Sequence, residues 1–375
     1  MPSDPVRPAI PPIATSDLPG VGGAIGPAEE DFVVDELPLY AASGEGEHLY
    51  VRIQKRGLTT RDAVRALADA ANVPVNEVGT AGMKDKHAVT TQWVSLPARR
   101  AGARESWKEL PESLSIVETS RHGNKLRTGH LAGNRFRIRI TGITGDSLAR
   151  ATAILDRIRE RGVPNYFGAQ RFGRDGEGLS TALEWLRGEA GVGPRRRAQA
   201  FERKLYTSVV QAEVFNRYLT ARIARGLSEP LPGEVVRLEG SGSLFVVEDT
   251  AREMPRWAAR DIHPTGPVAG PKMRAAREEP LAMEEEALAA LGLDERMRTA
   301  LGRHGDGTRR DLLLWPKEMT VEESGTDALT VQLVLPSGSY ATVLVRELTR
   351  ETFFRGDQPD ARPGPEVAPV ALPTE

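Results

Sequence analysis

The chain has 375 residues, 39% of them hydrophobic and 27% charged, a length that implies roughly two domains with ample material for a core. It contains no cysteine, which excludes disulfides, thiol nucleophiles and thiolate zinc sites, and His48, His87, His122, His130, His263 and His304 show no metal-ligand spacing. The net charge of −2 gives no overall nucleic-acid signature, no run reaches bilayer-spanning length and the N-terminus lacks the apolar core of a signal peptide, so a cytoplasmic protein with no membrane association is expected.

In chain order, residues 1–26 are rich in Pro and Gly without hydrophobic periodicity and read as a disordered leader. Gly20, Gly22, Gly23 and Gly26 do not form a dinucleotide fingerprint, because neither the spacing nor the flanking strand and helix is right. A β-prone run follows at Glu30–Glu36, with Phe32 either core or ligand-facing. The alternation of His48–Ile53 reads as a half-buried strand. Thr59 and Asp62 make a capping pair for a helix whose Ala63, Val64, Leu67, Ala68 and Ala71 share one face, and Pro74 marks its end.

Next comes the densest stretch, Gly79–Pro97. Gly82 suggests a turn that presents Lys84, Asp85 and Lys86 just before a strand at Val89–Leu96. Flanking ammonium groups favour the ionised form of Asp85, and an ionised carboxylate can act as a nucleophile. The competing reading is a solvated Lys-Asp-Lys turn. From Arg121 to Arg139 the chain carries Arg121, Lys125, Arg127, Arg135, Arg137 and Arg139 with no acidic residue, while Glu278, Glu279 and Glu284–Glu286 cluster elsewhere. Within this stripe Phe136, Ile138 and Ile140 alternate with Arg135, Arg137 and Arg139, so a strand there has one core face and one basic face that can meet RNA; the alternative is a solubilising surface.

A helix follows from Asp146 to Gly162, with Leu148, Ala151, Leu155 and Ile158 on one side. Asn165–Gly173 concentrates aromatics and glycine in a chain that is only 5% aromatic, and reads as a domain-junction plug ahead of a base-stacking loop. Arg195, Arg196, Arg197, Arg203 and Lys204 precede a long amphipathic helix (Leu205 to Gly226), and Val235–Val247 reads as a hairpin. Strand character returns at Leu312–Trp315 and Thr330–Leu335, and Pro336–Tyr340 turns into a helix containing Leu344, Val345 and Leu348. The expected organisation is a first domain from 27–163 and 310–355, an insertion at 164–309, and a disordered tail at 356–375.

Six stretches in register resemble the TruD family of tRNA pseudouridine synthases: EDFVVDE (Glu30–Glu36), GEGEHLYVRIQKRGLTT (Gly44–Thr60), AGMKDKHAVTTQWVS (Ala81–Ser95), HLAGNRFRI (His130–Ile138), VPNYFGAQRFG (Val163–Gly173) and LPSGSYATVLVREL (Leu335–Leu348). The resemblance implies an α+β, V-shaped fold: a mixed-sheet pseudouridine synthase domain, an inserted α+β domain particular to the family, and an RNA cleft between them. It also implies an enzyme that converts uridine 13 of tRNA to pseudouridine with no cofactor and no metal; a monomer is expected. By position Asp85 matches the nucleophilic aspartate, Asn134 and Phe136 the Asn-x-Phe motif, and Phe32 and Tyr340 aromatic positions near the substrate. Tyr340 stands where Phe is expected.

The residues suit that chemistry. The target base must leave its stack, Phe136 can support the flipped ring, Asn134 can pair with a uracil edge, Phe32 and Tyr340 can close the pocket, and Lys84 or Lys86 can keep Asp85 ionised. Arg135, Arg137 and Arg139 are the candidate RNA-binding set. The competing class is a non-catalytic tRNA-binding protein or RNA chaperone using the same basic cleft, which has no need of Asp85.

Overall fold

The computed structural model describes residues 6–102, 106–188 and 199–352. In the first part of the chain the elements are β1 (Gly22–Ile25), β2 (Phe32–Pro38), β3 (His48–Arg56), α1 (Thr60–Ala70), β4 (Gly79–Thr80), β5 (Val89–Pro97), α2 (Ala98–Ala101), β6 (Leu114–His122), β7 (Leu131–Ile143), α3 (Ser147–Arg161) and β8 (Val163–Pro164). Then come α4 (Glu177–Arg187), α5 (Gln199–Arg225), β9 (Val235–Leu238), β10 (Leu244–Val246), α6 (Thr250–Ala258), β11 (Ile262–Val268), α7 (Glu278–Ala289), α8 (Glu295–Gly302) and β12 (Thr308–Asp311). The chain closes with β13 (Leu313–Leu314), β14 (Lys317–Glu323), β15 (Ala328–Pro336) and α9 (Ala341–Thr349). Among the described residues no helix is long and apolar enough to cross a membrane.

The architecture is α+β around a mixed sheet of order β14-β15-β7-β2-β5-β3-β6, with β1 added to β7 and β4 to β5. Its pairings are antiparallel except β2 with β5. Alternation in β7 sends Phe136, Ile138 and Ile140 to one face, where they pack with Val331 and Leu333 of β15, Ile154 and Leu155 of α3, and Leu344 and Leu348 of α9. On the same side Val51 and Ile53 of β3 pack with Leu67 of α1. That helix starts as its sequence suggests: Thr59 Oγ1 accepts the Asp62 N–H at 3.1 Å. A second core, built from Leu179 and Leu183 of α4, Val210 and Phe215 of α5, Leu288 of α7 and Met297 of α8, takes in Tyr166, Phe167 and Phe172. Beside it stands a separate four-stranded sheet, β10-β9-β11-β12.

The expected disordered leader is corrected for residues 6–26. Val21 is fully buried with its N–H on Leu348 O at 2.8 Å, and Ala24 pairs with Thr141. Further out, Ala9 N–H meets Glu213 Oε1 at 2.9 Å, Ala14 N–H meets Glu347 Oε1 at 2.9 Å, and Thr15 Oγ1 meets Glu347 Oε2 at 2.7 Å. A segment without hydrophobic periodicity is ordered here because buried carboxylates on distant helices accept its backbone N–H groups. The tail at 356–375 and Arg195–Arg197 lie outside the described residues.

Candidate active site

Strand register brings the site together. Lys55 lies opposite Thr90, Thr90 beside Val34, Val34 opposite Phe136 and Phe136 opposite Leu333, so these five side chains cross four strand boundaries on the helix-covered face. Where β2 parts from β5, β4 takes its place against Val94 and Ser95, and the segment after it returns across this face carrying Asp85.

Hydrogen bonds from neighbouring elements shape that turn. Lys84 N–H donates to Thr60 Oγ1 at 2.9 Å, Gln92 Nε2 donates to Gly82 O at 3.2 Å, and Lys55 Nζ donates to Asp85 O at 2.6 Å and to Leu58 O at 2.7 Å. Gly82 keeps φ outside the left-handed region, and a Cβ there would meet nothing closer than 3.6 Å. The turn therefore rests on Thr60, Gln92 and Lys55, not on a glycine conformation.

Burial pushes the half-buried Asp85 carboxyl above the ordinary carboxylate range, and Lys55, then its own backbone hydrogen bond, Lys84 and His87 pull it back. Of the two flanking lysines expected to hold Asp85 ionised, Lys84 takes part in that pull, but less than Lys55. Lys84 Nζ sits 2.5 Å from Glu36 Oε2, with the two side chains 3% and 1% exposed, and Lys86 points to solvent. The cation that acts most on Asp85 is Lys55, fully buried, whose own ammonium is lowered to about 8 by burial and raised in part by Asp85.

Glu36 is the register partner of Asn134, and its Oε1 accepts Trp93 N–H at 3.1 Å. Asn134 is half-buried, with Oδ1 enclosed and lacking a hydrogen-bond partner among the described residues. Phe32 and Phe136 meet edge to face at 5.9 Å between centroids, both buried and in one cluster with Ala88, three residues past Asp85. Register thus unites Lys55, Glu36, Phe32, Asn134 and Phe136 around the Asp85 turn.

Two predicted groups lie elsewhere. Arg135, Arg137 and Arg139 occupy the opposite face of β7, with Arg135 on Glu318 at 2.9 Å and Arg139 on Asp31 at 3.6 Å. Tyr340, at the N-terminus of α9, turns its ring to the second core, edge-on to Phe167 at 5.9 Å, and its hydroxyl accepts Arg171 Nε at 3.1 Å and Nη2 at 2.9 Å. Phe167 is buried with Tyr166 and Phe172 in that core, and the Arg310 guanidinium lies 4.2 Å from its ring centroid.

The sequence reading missed Glu36, Lys55, Thr60 and Gln92. A signal existed for two of them. Glu36 continues the apolar parity of Phe32 and Val34, and Lys55 that of Val51 and Ile53, so each puts a charge where a strand faces the core, which requires a partner.

The family model described as tRNA pseudouridine synthase D (TruD) matches residues 12–177 and 199–348. A tRNA pseudouridine synthase D of Anaeromyxobacter sp. (strain Fw109-5) is 44% identical over 347 residues, 90% of this chain and 96% of that relative. One of Thermus thermophilus is 40% identical over 363 residues, 96% of this chain and 98% of the relative. A crystal structure of a Methanosarcina mazei chain described as tRNA pseudouridine synthase D superimposes with a TM-score of 0.69 at 24% identity, covering 90% of this chain and 96% of that one, a likeness of fold.

Proposed function

The chain belongs to the tRNA pseudouridine synthase D (TruD) family, and from that membership we propose that it isomerises a uridine of tRNA to pseudouridine, at position 13, with Asp85 as the reacting carboxylate. The reaction breaks the C1′–N1 bond and forms C1′–C5 with no net gain or loss of atoms. A carboxylate can attack the sugar, attack the base, or remove the 2′ proton, and all three routes stay open. The observation that carries the reading is the family match running unbroken through 12–177, the segment that contains the Asp85 turn, both strands beneath it and Asn134 and Phe136.

The surroundings support such a role. A carboxylate partly withdrawn from water and close to a buried ammonium is less hydrated, hence more reactive, than one on the surface, and its backbone is held by a bond from that same ammonium. On this reading Phe136 and Asn134, on the strand face that the Asp85 turn crosses, receive the flipped uracil, and the Phe32 ring packed edge-on against Phe136 supports it.

Asp85→Asn keeps shape and removes the charge. We expect it to abolish pseudouridine formation in a tRNA transcript bearing uridine at position 13 while binding that transcript within a few-fold of the parent. Substantial turnover by the purified variant would exclude Asp85 as the reacting group, and product at another uridine would overturn the position.

A further inference from the structure

We propose that the end of β6 and the loop after it, Arg121 to His130 together, and not the arginine face of β7, carry the phosphate backbone of the tRNA beside the target nucleotide. The inference rests on the reading of the chain as a tRNA-modifying enzyme. It assigns the RNA-facing charge to Arg121, Lys125 and Arg127.

Three observations point to this loop. First, its cations are available. Among the described residues no carboxylate pairs with Arg121, Lys125 or Arg127; Arg121 Nη1 reaches Gly46 O at 3.4 Å, Lys125 Nζ reaches Asn76 O at 3.1 Å, and Arg121 and Arg127 are exposed. On β7, by contrast, Arg135 and Arg139 already pair with Glu318 and Asp31, and these two and Arg137, which pairs with no carboxylate among the described residues, all lie across the sheet from the Asp85 turn. An arginine that must leave a carboxylate to meet a phosphate gains less from the exchange.

Second, the loop is fastened to the segment that leads into Asp85. Gly129 N–H donates to Ala81 O at 2.8 Å, and Leu126, 4% exposed, donates its N–H to Ser95 Oγ at 2.9 Å. The approach at Gly79 is so close that a Cβ there would lie 2.3 Å from Leu126 O. Charge on this loop is therefore held at a fixed place relative to the reacting carboxylate, which a register-setting phosphate contact requires.

Third, the loop is stiffened from beneath by rings. Tyr40 stacks on His122 at 5.0 Å between centroids, and its hydroxyl shares a hydrogen bond with His130 Nδ1 at 2.7 Å, while Tyr50 Oη donates to Asn124 O at 2.9 Å. Glu45 and Glu47 occupy the neighbouring turn, where Ser43 N–H meets His122 Nδ1 at 3.2 Å. The uncompensated positive charge thus concentrates toward Lys125 and Arg127. A preordered basic loop loses little entropy when a polyanion docks.

The test compares two triple variants, Arg121→Gln with Lys125→Gln and Arg127→Gln, and Arg135→Gln with Arg137→Gln and Arg139→Gln, for binding to a tRNA transcript with uridine at position 13 between about 50 and 200 mM salt. Each displaced counterion adds about 0.7–0.9 to the slope of log K against log salt, so the loop variant is expected to bind more weakly with a slope shallower by about two, while the strand variant keeps the parental slope. Arg121→Lys with Arg127→Lys should keep the slope as well, which separates charge from folding. An unchanged slope in the loop variant, or a larger loss in the strand variant, overturns the proposal. Full turnover by Asp85→Asn would instead sink the catalytic reading and leave this comparison intact.

Discussion

Lys84 and Glu36 show how much one buried pair settles at the Asp85 turn. Their side chains are almost completely withdrawn from water, 2.5 Å apart, and Lys84 immediately precedes Asp85. Removing one partner of such a pair costs about 3–5 kcal/mol because the other charge stays buried, whereas replacing both is far milder. Glu36→Gln should therefore lower stability in urea by about 3 kcal/mol, and Glu36→Gln with Lys84→Met should recover most of it; a double variant no more stable than the single one would show that the pair does not act as a unit. Phe136 poses a different question, because it lies in the core and beside the site at once. If it supports the flipped uracil, Phe136→Leu should melt near the parent, since volume and apolarity are nearly kept, yet lose about ten- to a hundredfold in single-turnover rate, as base stacking of about 1–3 kcal/mol implies. Phe136→Tyr should regain much of that rate. A leucine variant that melts and turns over like the parent would assign Phe136 to packing. For Asp85 the direction of the carboxyl is upward, so if the ionised form reacts, the acid limb of the parental pH–rate profile should lie above the ordinary aspartate range.

At the level of elements, local periodicity was a good guide wherever one face is buried. The strands around Phe32, His48, Val89, Phe136 and Val331 and the helix after Thr59 stand where their alternation or capping residues indicate. What escaped was the N-terminal segment, whose order comes from partners hundreds of residues away. Glu347 accepts Ala14 and Thr15, Arg346 Nη1 donates to Pro11 O at 2.7 Å, and Glu213 accepts Ala9. This strap joins α9 to α5, and Glu213 makes it pH-sensitive. Burial raises the Glu213 carboxyl from 4.5 to about 7, against the opposing pull of Ala9 N–H and Arg217. A raised carboxyl means that the folded state binds the proton more tightly, so the stability it contributes is complete below 4.5 and is lost as pH rises through about 7. The loss amounts to about 3 kcal/mol at most. Glu213→Gln should flatten the dependence between pH 5 and pH 8, measured by urea unfolding, and be more stable than the parent at the upper end; a parallel curve would place the titration elsewhere.

Across the whole molecule the two cores meet where the sequence is least periodic, at Asn165–Gly173 and Pro336–Tyr340. Neither segment announces its partner, because the contacts are side chain to loop: Arg310 Nη1 donates to Gly338 O at 2.9 Å and Nε to Asn165 O at 3.1 Å, with its guanidinium over Phe167. Burial lowers the Arg310 guanidinium to about 10, which marks how far this junction excludes water. Tyr340 is the informative position, since Phe was expected there and the hydroxyl is in use, accepting two N–H groups of Arg171, a residue only 4% exposed. In Tyr340→Phe the ring keeps its packing on Phe167 while Arg171 loses that acceptor in a place water scarcely reaches. Hydrogen bonds from a charged donor contribute about 1.5–3 kcal/mol, and their loss should fall on the junction, not on either core. Hydrogen exchange should therefore quicken in residues 165–173 and 336–340 of Tyr340→Phe, with β7 and α5 unchanged. Parental exchange throughout would mean that ring packing holds the two cores together without the hydroxyl, and uniform acceleration would mean that Tyr340 stabilises the fold as a whole instead of its junction.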